Sequence, residues 1–472
     1  MGCKACCQKI PTRYWIMAMI FLTTYINYTT RSNMSISLPA MVTPGKKKIA
    51  ECLKDVNSDQ YTVQNVSEED TGEKYHWDEK VQGLVLGAYF YGYLIGSLPG
   101  GIVAEWIGPF WTIEAMTIAA GILNSACAWV APVHWGLLFA ARFLIGLCGG
   151  LIYPALQCLI GRWAPPQERT KFVACLMGNT LGTCLTWIIG GVVIRYYKWP
   201  WSFHVMSIQI IVFCLVFGVL AYDSPELHKW ITDEELNYIK QSQEGKVSKT
   251  KAVPPYKNIF TSFPFWTLCI LHFGNLWGLY VQITAVPKFM KEYIGFDIKS
   301  SGVLSSFPHL ARLFLGFGFG FLGDYLKKKQ FKRVIILKSF IILSHIVPGI
   351  LMALMSVAKC NSTVAVVLLT LSMSINGSVV VTNLANPTDL SPNFAGTIFG
   401  IISFIGGISG FIVPSMSGAI ITTYGNNGKS WGLVFALGGL IYCGCGIFFM
   451  IFGTADTQPW NEKAETEGQT ST

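Results

Sequence analysis

Trp135-Gly-Leu-Leu-Phe-Ala-Ala-Arg142-Phe-Leu-Ile-Gly-Leu-Cys-Gly-Gly-Leu-Ile-Tyr153 is an apolar run broken by a single charge. A run of this length crosses the hydrocarbon core of a bilayer as a helix, because about 20 residues span about 30 Å. A guanidinium at the bilayer centre costs about 2.5–3.5 kcal/mol on insertion scales. The arginine at position 142 therefore predicts a polar site inside a membrane protein.

Similar apolar runs recur along the whole chain of 472 residues, of which 52% are apolar and 13% charged. Soluble domains are about 25% charged, so the composition indicates a polytopic membrane protein. Backbone groups in lipid need internal partners, so each run is predicted to be a helix. The predicted fold is all-α, with twelve transmembrane helices in two six-helix halves, near 14–41, 81–104, 110–131, 135–162, 171–194, 200–222, 264–288, 301–323, 333–357, 363–387, 394–423 and 431–453.

Basic residues in short loops predict the orientation of these spans. The 162–171 and 324–333 connections carry several lysines and arginines, which favours the cytoplasmic side for both loops and for both termini. The predicted divisions are a cytoplasmic N-terminus (1–13), an N-terminal half (14–222), a cytoplasmic linker (223–262), a C-terminal half (263–453) and a cytoplasmic tail (454–472). The sequons at Asn65 and Asn361 then lie outside, where they predict glycosylation.

Cysteines leave two questions open at this stage. Cys3, Cys6 and Cys7 form a juxtamembrane group in which lipidation is an open alternative. Cys52 and Cys360 both lie in predicted outer loops, where they either pair or remain free, since spacing alone does not establish disulfide geometry.

The formal net charge of the chain is +9, and its basic residues cluster at the ends of the spans, so no nucleic-acid partner is predicted. We expect no resident metal or nucleotide cofactor and no enzymatic activity, because no loop has the spacing of such a site.

A second arginine, Arg31, lies in a polar part of the first span, Asn27-Tyr-Thr-Thr-Arg31-Ser-Asn-Met-Ser35. Guanidinium groups bind carboxylate or phosphate oxygens through paired hydrogen bonds. Arg31 and Arg142 therefore predict an anion site that is reached from water. The alternative is a structural role, with each arginine bonding to backbone carbonyls or to a buried acid.

The two predicted halves repeat one short pattern. Gly101-Ile-Val-Ala-Glu105 follows the second span, and Gly320-Phe-Leu-Gly-Asp324 follows the eighth. Small residues allow close helix approach, and a carboxylate can cap or pair with a neighbouring helix end. Parallel six-helix repeats place a substrate site near mid-membrane, between the halves.

A set of short motifs extends over nearly the whole chain. They are Asn27–Ser35, Trp77-Asp78, Gln82-Gly83, Gly87–Tyr93, Pro99-Gly-Gly101, Trp163–Arg169, His272-Phe273, Trp277, Tyr280, Leu304–His309, Asn386-Pro-Thr-Asp389, Pro392, Ala395-Gly396 and Gln458-Pro-Trp-Asn461. Together these motifs resemble the anion:cation symporter family of the major facilitator superfamily, the group that includes sialin, the type I sodium–phosphate cotransporters and the vesicular glutamate transporters. The resemblance is strongest to insect proteins named as candidate inorganic phosphate cotransporters.

The resemblance implies the major facilitator fold and a cavity lined by Tyr93 and Tyr280, although tyrosines in membrane helices are also common packing residues. Each of the other polar residues within the predicted spans has either a role in the site or a purely structural role. Amides bond across helices, histidines are often satisfied structural groups, and an acid near a span end pairs with a loop cation. The further candidates for substrate binding are Asn275 and Asn386, and those for coupling or an accessory role are Arg312, His272, His309 and Glu114.

The chain also departs from the family pattern. Family members thought to couple to protons carry glutamates after the arginine of helix four, where this chain has Ile145 and Gly149. At three further positions this chain also differs from the vesicular glutamate transporters. It has Leu86, Gln157 and Asn275 there. These departures argue against glutamate as substrate and favour Na⁺ over H⁺ as the coupling cation.

The sequence thus predicts a monomeric secondary active transporter that moves inorganic phosphate or a small organic anion by cation-coupled symport. Its partners are the anion, the coupling cation and the lipid bilayer, in a plasma or endolysosomal membrane. The alternative on the same fold is a passive anion facilitator or channel, or a sensor that does not transport.

Overall fold

The structure is a computed structural model that describes residues 10–43, 52, 71–243, 253–294, 298–358 and 360–461. Helices make up this part of the chain, which contains no β-strand beyond an isolated parallel bridge between Val42 and Tyr75. The all-α prediction is confirmed. We number the twelve long helices α1 (Thr12–Met41), α2 (Glu79–Ile107), α3 (Pro109–Val130), α4 (Trp135–Trp163), α5 (Arg169–Tyr197), α6 (Trp199–Leu220), α7 (Phe263–Ala285), α8 (Ile298–Lys328), α9 (Arg333–Ala358), α10 (Ser362–Val380), α11 (Ala395–Tyr424) and α12 (Gly428–Phe452).

Ten of these helices are long and apolar enough to cross a membrane. The other two, α1 and α8, have 30 and 31 residues, which at 1.5 Å per residue gives about 45 Å and exceeds the thickness of the hydrocarbon core. They are more polar than the rest because α1 contains the Asn-, Thr- and Ser-rich stretch around Arg31 and α8 ends in lysines. All twelve predicted spans correspond to helices in the structure.

One predicted boundary is wrong. The tenth span was expected to reach residue 387, but α10 ends at Val380 and a short separate helix, Asn386–Leu390, follows after a turn. Pro387 lies in the first turn of that short helix. Proline has no backbone N–H, so it begins a helix more readily than it continues one.

The linker between the halves is structured where it is described. Its helix, Asp233–Gln243, begins as predicted at Thr232, whose hydroxyl accepts from the Glu235 backbone N–H at 3.3 Å. Glu235 in turn binds the start of α1, accepting from the Thr12 backbone N–H at 2.7 Å and from Arg13 Nη1 at 3.1 Å. Arg13 Nε also pairs with Glu168 at 3.0 Å. Arg13 at the start of α1 therefore joins the linker helix to the connection between α4 and α5 on the predicted cytoplasmic side.

The repeated carboxylates each cap a helix of the opposite half, whereas the sequence pattern indicated only a cap or pair at a neighbouring helix end. Glu105 of α2 accepts from the backbone N–H and hydroxyl of Thr397, at the start of α11. Asp324 of α8 accepts from the backbone N–H groups of Thr170 and Lys171, at the start of α5, at 3.3 and 3.0 Å. A negative charge is favourable at the positive end of a helix dipole. These two contacts close the predicted cytoplasmic ends of the halves against each other.

A glycine makes one of these contacts possible. A Cβ at Gly101 would collide with the backbone of Gly396, so α2 and α11 touch backbone to backbone beside Glu105. On the opposite, predicted outer face a disulfide joins Cys52, between α1 and α2, to Cys360, between α9 and α10. The pairing left open by the sequence is present, and it links the two halves covalently. Asn65 and the three N-terminal cysteines lie outside the described residues.

Candidate functional site

The Arg31 guanidinium lies in a cage of aromatic rings at the junction of α1, α2 and α7. Nη1 donates to the hydroxyl of Tyr28 at 3.0 Å, and Nη2 donates to the hydroxyl of Tyr280 at 3.3 Å. The guanidinium carbon also lies 4.9 Å from the centre of the Phe90 ring and 5.9 Å from that of Tyr93. Ring faces attract a cation, and they do so more strongly away from water. The cage therefore holds the positive charge in place without neutralising it.

Glycines set the helix packing that builds this cage. A Cβ at Gly92 of α2 would collide with the backbone of Phe143, and a Cβ at Gly146 of α4 would collide with the backbone of Tyr89. The two helices can approach this closely only because neither position has a side chain. The aromatic side chains of α2 are thereby directed toward α1, where they surround Arg31.

Arg142 binds the main chain of α1, whereas the Arg31 guanidinium lies in the aromatic cage. Its Nη1 donates to the backbone carbonyl of Thr30 at 2.8 Å, and its Nη2 donates to the backbone carbonyl of Arg31 at 3.2 Å. The side chain is 2% exposed and lies over the Tyr89 ring. The sequence left two roles open for this arginine, anion binding and a structural role. The structure shows its bonds to backbone carbonyls, which belong to the structural role. Arg142 thus fixes the segment of α1 that carries Arg31.

No acid neutralises these arginines within the described residues. Ion pairs described there join Arg13 to Glu168 and Glu235, Lys240 to Glu226, Lys327 to Asp324, and Arg333 to Asp389, and none of these involves Arg31 or Arg142. At the two helix-four positions that the sequence analysis singled out after Arg142, Ile145 is fully buried and Gly149 faces the Tyr89 hydroxyl. The phenol takes the space that a side chain at position 149 would need.

A second buried arginine network belongs mainly to the C-terminal half. Arg312 of α8 donates from Nε to Asn376 Oδ1 at 3.0 Å and from Nη1 to the Thr180 hydroxyl of α5 at 3.5 Å. The Asn376 amide also donates to Asn275 Oδ1 at 3.1 Å and is hydrogen-bonded to Tyr442. Asn275 is thus brought to the Arg312 network, where it bonds across helices.

A π-helical turn in α9 supplies the backbone acceptor of this network. The Ser344 carbonyl lies in the π-helical turn Ile342–Ile346, and Tyr442 donates to it at 2.8 Å. His345 follows in the same turn, with Nδ1 at 2.7 Å from the Ser344 hydroxyl and Nε2 at 3.0 Å from the Leu271 carbonyl. This histidine was not singled out by the sequence, because it has no unusual neighbours along the chain.

The remaining predicted residues are dispersed. His272 has its Nδ1 at 2.9 Å from the Asn383 amide, and His309 packs edge-on against the Trp187 ring. Glu114 lies beside α6 with Oε2 buried and without a hydrogen-bond partner among the described residues, and the expected loop cation is not paired with it there. Asn386 donates to the carbonyl of Thr454, beyond the end of α12, which places it at the inner end of the helices and not beside Arg31.

Sequence reasoning missed several residues of the cage. Tyr28 is three residues before Arg31, a spacing that puts both on one face of α1 and could have identified it. Tyr89 is four residues before Tyr93 and shares its face of α2 for the same reason. Tyr153, whose ring meets that of Tyr28 edge-on at 6.3 Å, had no such signal. Its contact depends on how α4 packs against α1.

Comparisons with known proteins agree with this architecture. The sequence profile of the Major Facilitator Superfamily matches residues 20–414. Sialin of Ovis aries is 30% identical over 457 residues, covering 96% of this chain and 91% of sialin. Vesicular glutamate transporter 2 of Homo sapiens is 28% identical, covering 98% and 78%. A protein of Drosophila ananassae named as a candidate inorganic phosphate cotransporter is 30% identical, covering 95% and 94%.

Solved structures show the same fold. The proton:xylose symporter XylE superposes with a TM-score of 0.68 at 13% sequence identity, covering 96% of this chain and 98% of that one. The fucose:proton symporter FucP of E. coli superposes with a TM-score of 0.58 at 13% identity, covering 93% and 99%. At such low identity the likeness concerns the arrangement of helices alone. The relatives and structural neighbours named here are membrane transporters and not enzymes.

Proposed function

Because the chain belongs to the Major Facilitator Superfamily, we propose that it is a secondary transporter that moves a small anion across a membrane by cation-coupled symport. The substrate is inorganic phosphate or a small organic anion, in line with the names of the relatives. The observation that carries this proposal is the Arg31 cage, a membrane-embedded guanidinium held by phenols and ring faces, with no carboxylate paired to it in the part of the chain that the structure describes. An anion entering the cage gains a charge-assisted, paired hydrogen bond.

Alternating access follows from the contacts between the halves. Glu105 and Asp324 close the inner ends by capping helices of the opposite half, and these caps must open when the site turns inward. Arg31 of α1 contacts Tyr280 of α7 across the same interface, so movement of the halves changes the coordination of the guanidinium. Anion binding and the orientation of the site are thereby linked through a single side chain.

Na⁺ is the coupling cation that the proposal favours. Proton coupling needs a group that titrates beside the anion, and the helix-four positions that carry glutamates in related proteins are Ile145 and Gly149. A sodium gradient requires no such acid. The protein acts as a monomer in a plasma or endolysosomal membrane, with both termini in the cytoplasm. The disulfide between Cys52 and Cys360 supports this orientation, because disulfides persist on the non-cytoplasmic side.

Uptake into proteoliposomes containing the purified protein tests the proposal. Radiolabelled phosphate and a panel of organic anions are offered with an inward Na⁺ gradient, with a pH gradient and with neither. We expect saturable accumulation that requires Na⁺ and is lost in Arg31→Gln. Arg195→Gln is the matched control, since Arg195 is an exposed arginine at the outer end of α5. Absence of saturable uptake of every anion would reject the proposal.

A passive facilitator or a sensor is the second candidate, and one observation favours it. Within the described residues, no carboxylate pairs with Arg31 or Arg142, so no acid beside these arginines could bind and release a proton as the anion moves. Accumulation against the electrochemical gradient of the anion separates the two, since a facilitator only equilibrates its substrate. A sensor binds anions without moving them.

A further inference from the structure

The chain that follows α12 turns back and packs against the inner end of the C-terminal half. Residues 454–461, which we call the C-terminal strap, contain the motif Gln458-Pro-Trp-Asn461. The last three residues of the motif form a short 3₁₀ helix, in which Trp460 is 5% exposed and Asn461 is 4% exposed. A segment beyond the last helix of a domain is ordered only where contacts tie it down. The burial of these two side chains therefore indicates a specific docking place for the strap.

The strap docks on the connection between α10 and α11, residues 381–394. Near the start of the strap, the Thr454 carbonyl accepts from the Asn386 amide at 3.0 Å. Four residues later, the Gln458 backbone N–H donates to the Leu390 carbonyl at 2.9 Å. The contacts are spread over both segments, so the strap lies along the connection and restrains the path of its main chain.

Asn461 holds the part of the connection that leads into α11. Its Oδ1 accepts from the Ser391 hydroxyl at 2.7 Å and from the Asn393 backbone N–H at 3.2 Å, and its backbone carbonyl accepts from the Asn393 amide at 3.1 Å. The Ser391 hydroxyl is buried and in turn accepts from the Phe394 backbone N–H at 3.3 Å. A buried hydroxyl that loses its acceptor is costly. Asn461 is thus the residue on which this turn depends.

The same connection also meets the N-terminal half. Gln157 of α4 donates from Nε2 to the Leu384 carbonyl at 3.2 Å, and Arg169 at the start of α5 donates from Nη1 to the Thr388 carbonyl at 3.3 Å. Both acceptors are backbone carbonyls, so these bonds form only when the main chain of the connection follows the right path. They join the halves at the inner side, and they must break when the site opens inward.

We infer that Asn461 is a positioning residue of the inner gate. By fixing the main chain of the α10–α11 connection, the C-terminal strap keeps the carbonyls of Leu384 and Thr388 in line with their donors on the N-terminal half, and so it slows inward opening. This inference rests on the alternating access of the proposed function and adds a control on it. The strap acts through the connection and does not bind the anion.

The native cysteine Cys158 of α4 reports inward opening without an introduced residue. A Cβ at Gly396 of α11 would collide with its Sγ, and Cys158 is buried, so the thiol is covered while α4 and α11 are in contact. The full-length protein in inside-out vesicles is treated with an impermeant maleimide, and modification of each cysteine is followed by peptide mass spectrometry. Cys127 of α3, which is fully buried within its own half, is the internal reference.

We expect Asn461→Ala to raise the rate of Cys158 modification about fivefold relative to Cys127, because two hydrogen bonds that hold the turn are lost. Asn461→Asp keeps the Oδ1 acceptor, so its rate should stay close to that of the wild type. Gln458→Ala is the matched control. Its side-chain amide donates within the strap, to the Asp456 carbonyl at 2.9 Å, and its removal should leave the Cys158 rate unchanged.

Three outcomes would overturn the inference. They are an unchanged Cys158 rate in Asn461→Ala, an Asn461→Asp variant as reactive as Asn461→Ala, and a parallel rise at Cys127, which would show general loosening of the fold instead of opening of the gate. The readout is the accessibility of a thiol and not uptake. A faster Cys158 reaction in a protein that takes up no anion would therefore reject the proposed function alone, whereas normal uptake with an unchanged Cys158 rate would reject the strap alone.

Discussion

Arg142 Nη2 on α4 donates to the backbone carbonyl of Arg31 on α1 at 3.2 Å, so one buried arginine holds the main chain of another. The second terminal nitrogen of Arg142 donates to the Thr30 carbonyl, one residue earlier. Thr30 and Arg31 are thereby fixed in rotation about the axis of α1. The aromatic cage can then close around a guanidinium whose direction is already set.

This relationship predicts that Arg142→Gln destabilises the protein as well as impairing uptake. Hydrogen bonds to charged groups contribute about 1.5–3 kcal/mol each, and two are lost here along with contact to the Tyr89 ring. We expect a clear fall in the unfolding temperature in detergent, measured by intrinsic fluorescence, together with reduced uptake. An unchanged unfolding temperature with uptake abolished would contradict the structural role and return Arg142 to direct anion binding.

Arg31→Gln is expected to reduce uptake while changing the unfolding temperature little, in contrast to Arg142→Gln. The Arg31 side chain holds only phenol hydroxyls and ring faces, so its loss removes little packing. Binding of the anion, in contrast, loses a charge-assisted pair, which reduces uptake efficiency by about tenfold or more. Thermal unfolding and uptake are measured on the same preparations as for Arg142→Gln. The assignment fails if Arg31→Gln unfolds as readily as Arg142→Gln.

The inner caps lead to a prediction about conformation. Asp324→Asn keeps an acceptor for the Thr170 and Lys171 backbone N–H groups but removes the charge that favours the helix end, worth about 1 kcal/mol. We expect the inner ends to open about fivefold more often. Leu384, which is buried there beside Gln157, provides the probe.

The opening is measured in Leu384→Cys by its rate of reaction with an impermeant maleimide in inside-out vesicles. Adding Asp324→Asn should accelerate the reaction, whereas adding Asp233→Asn, a change in the first turn of the linker helix, should not. Equal rates with and without Asp324→Asn would show that the cap does not hold the inner side closed.

The sequence foretold these features unevenly, for physical reasons. Polarity within an apolar run identified Arg31 directly, and the repeated glycine-acid pattern identified Glu105 and Asp324 as helix-end partners, because both signals are local. The acceptors of Arg142 are the backbone carbonyls of Thr30 and Arg31, over 100 positions away along the chain. The spacing of side chains in the sequence does not predict such a contact. Asn386 was expected inside a span because the turn after α10 is apolar enough to resemble helix.

The disulfide predicts a biochemical link between the halves. Cys52 belongs to the connection after α1 and Cys360 to the connection after α9, so the bond bridges 308 positions of sequence. A protease site inserted into the linker, residues 223–262, should give fragments that stay together in non-reducing gels and separate after reduction. Cys360→Ser should separate without reduction, and Cys443→Ser, a free cysteine in α12, should behave as the wild type. Separation of the wild-type fragments without reduction would contradict the pairing.

Glycosylation at Asn361 tests the orientation of the whole chain. The Asn361 side chain is exposed, one residue after the disulfide, and its Oδ1 caps α10 by accepting from the Val364 backbone N–H at 3.1 Å. Replacing Asn361 would remove that cap, so the sharper variant is Thr363→Ala, which destroys the sequon and keeps the cap. Ser362→Ala is the matched control, because the middle position of a sequon tolerates alanine.

We expect Thr363→Ala to migrate faster than the wild type in gels and to respond less to a glycosidase that removes N-linked chains, while Ser362→Ala is unchanged. Glycan transfer occurs only on the non-cytoplasmic side, so a shift would place the α9–α10 connection outside. With α9 and α10 of known direction, the basic loop before α9 and the caps at Glu105 and Asp324 then lie inside. Identical migration of Thr363→Ala and Ser362→Ala, with or without glycosidase, would remove this support for the orientation.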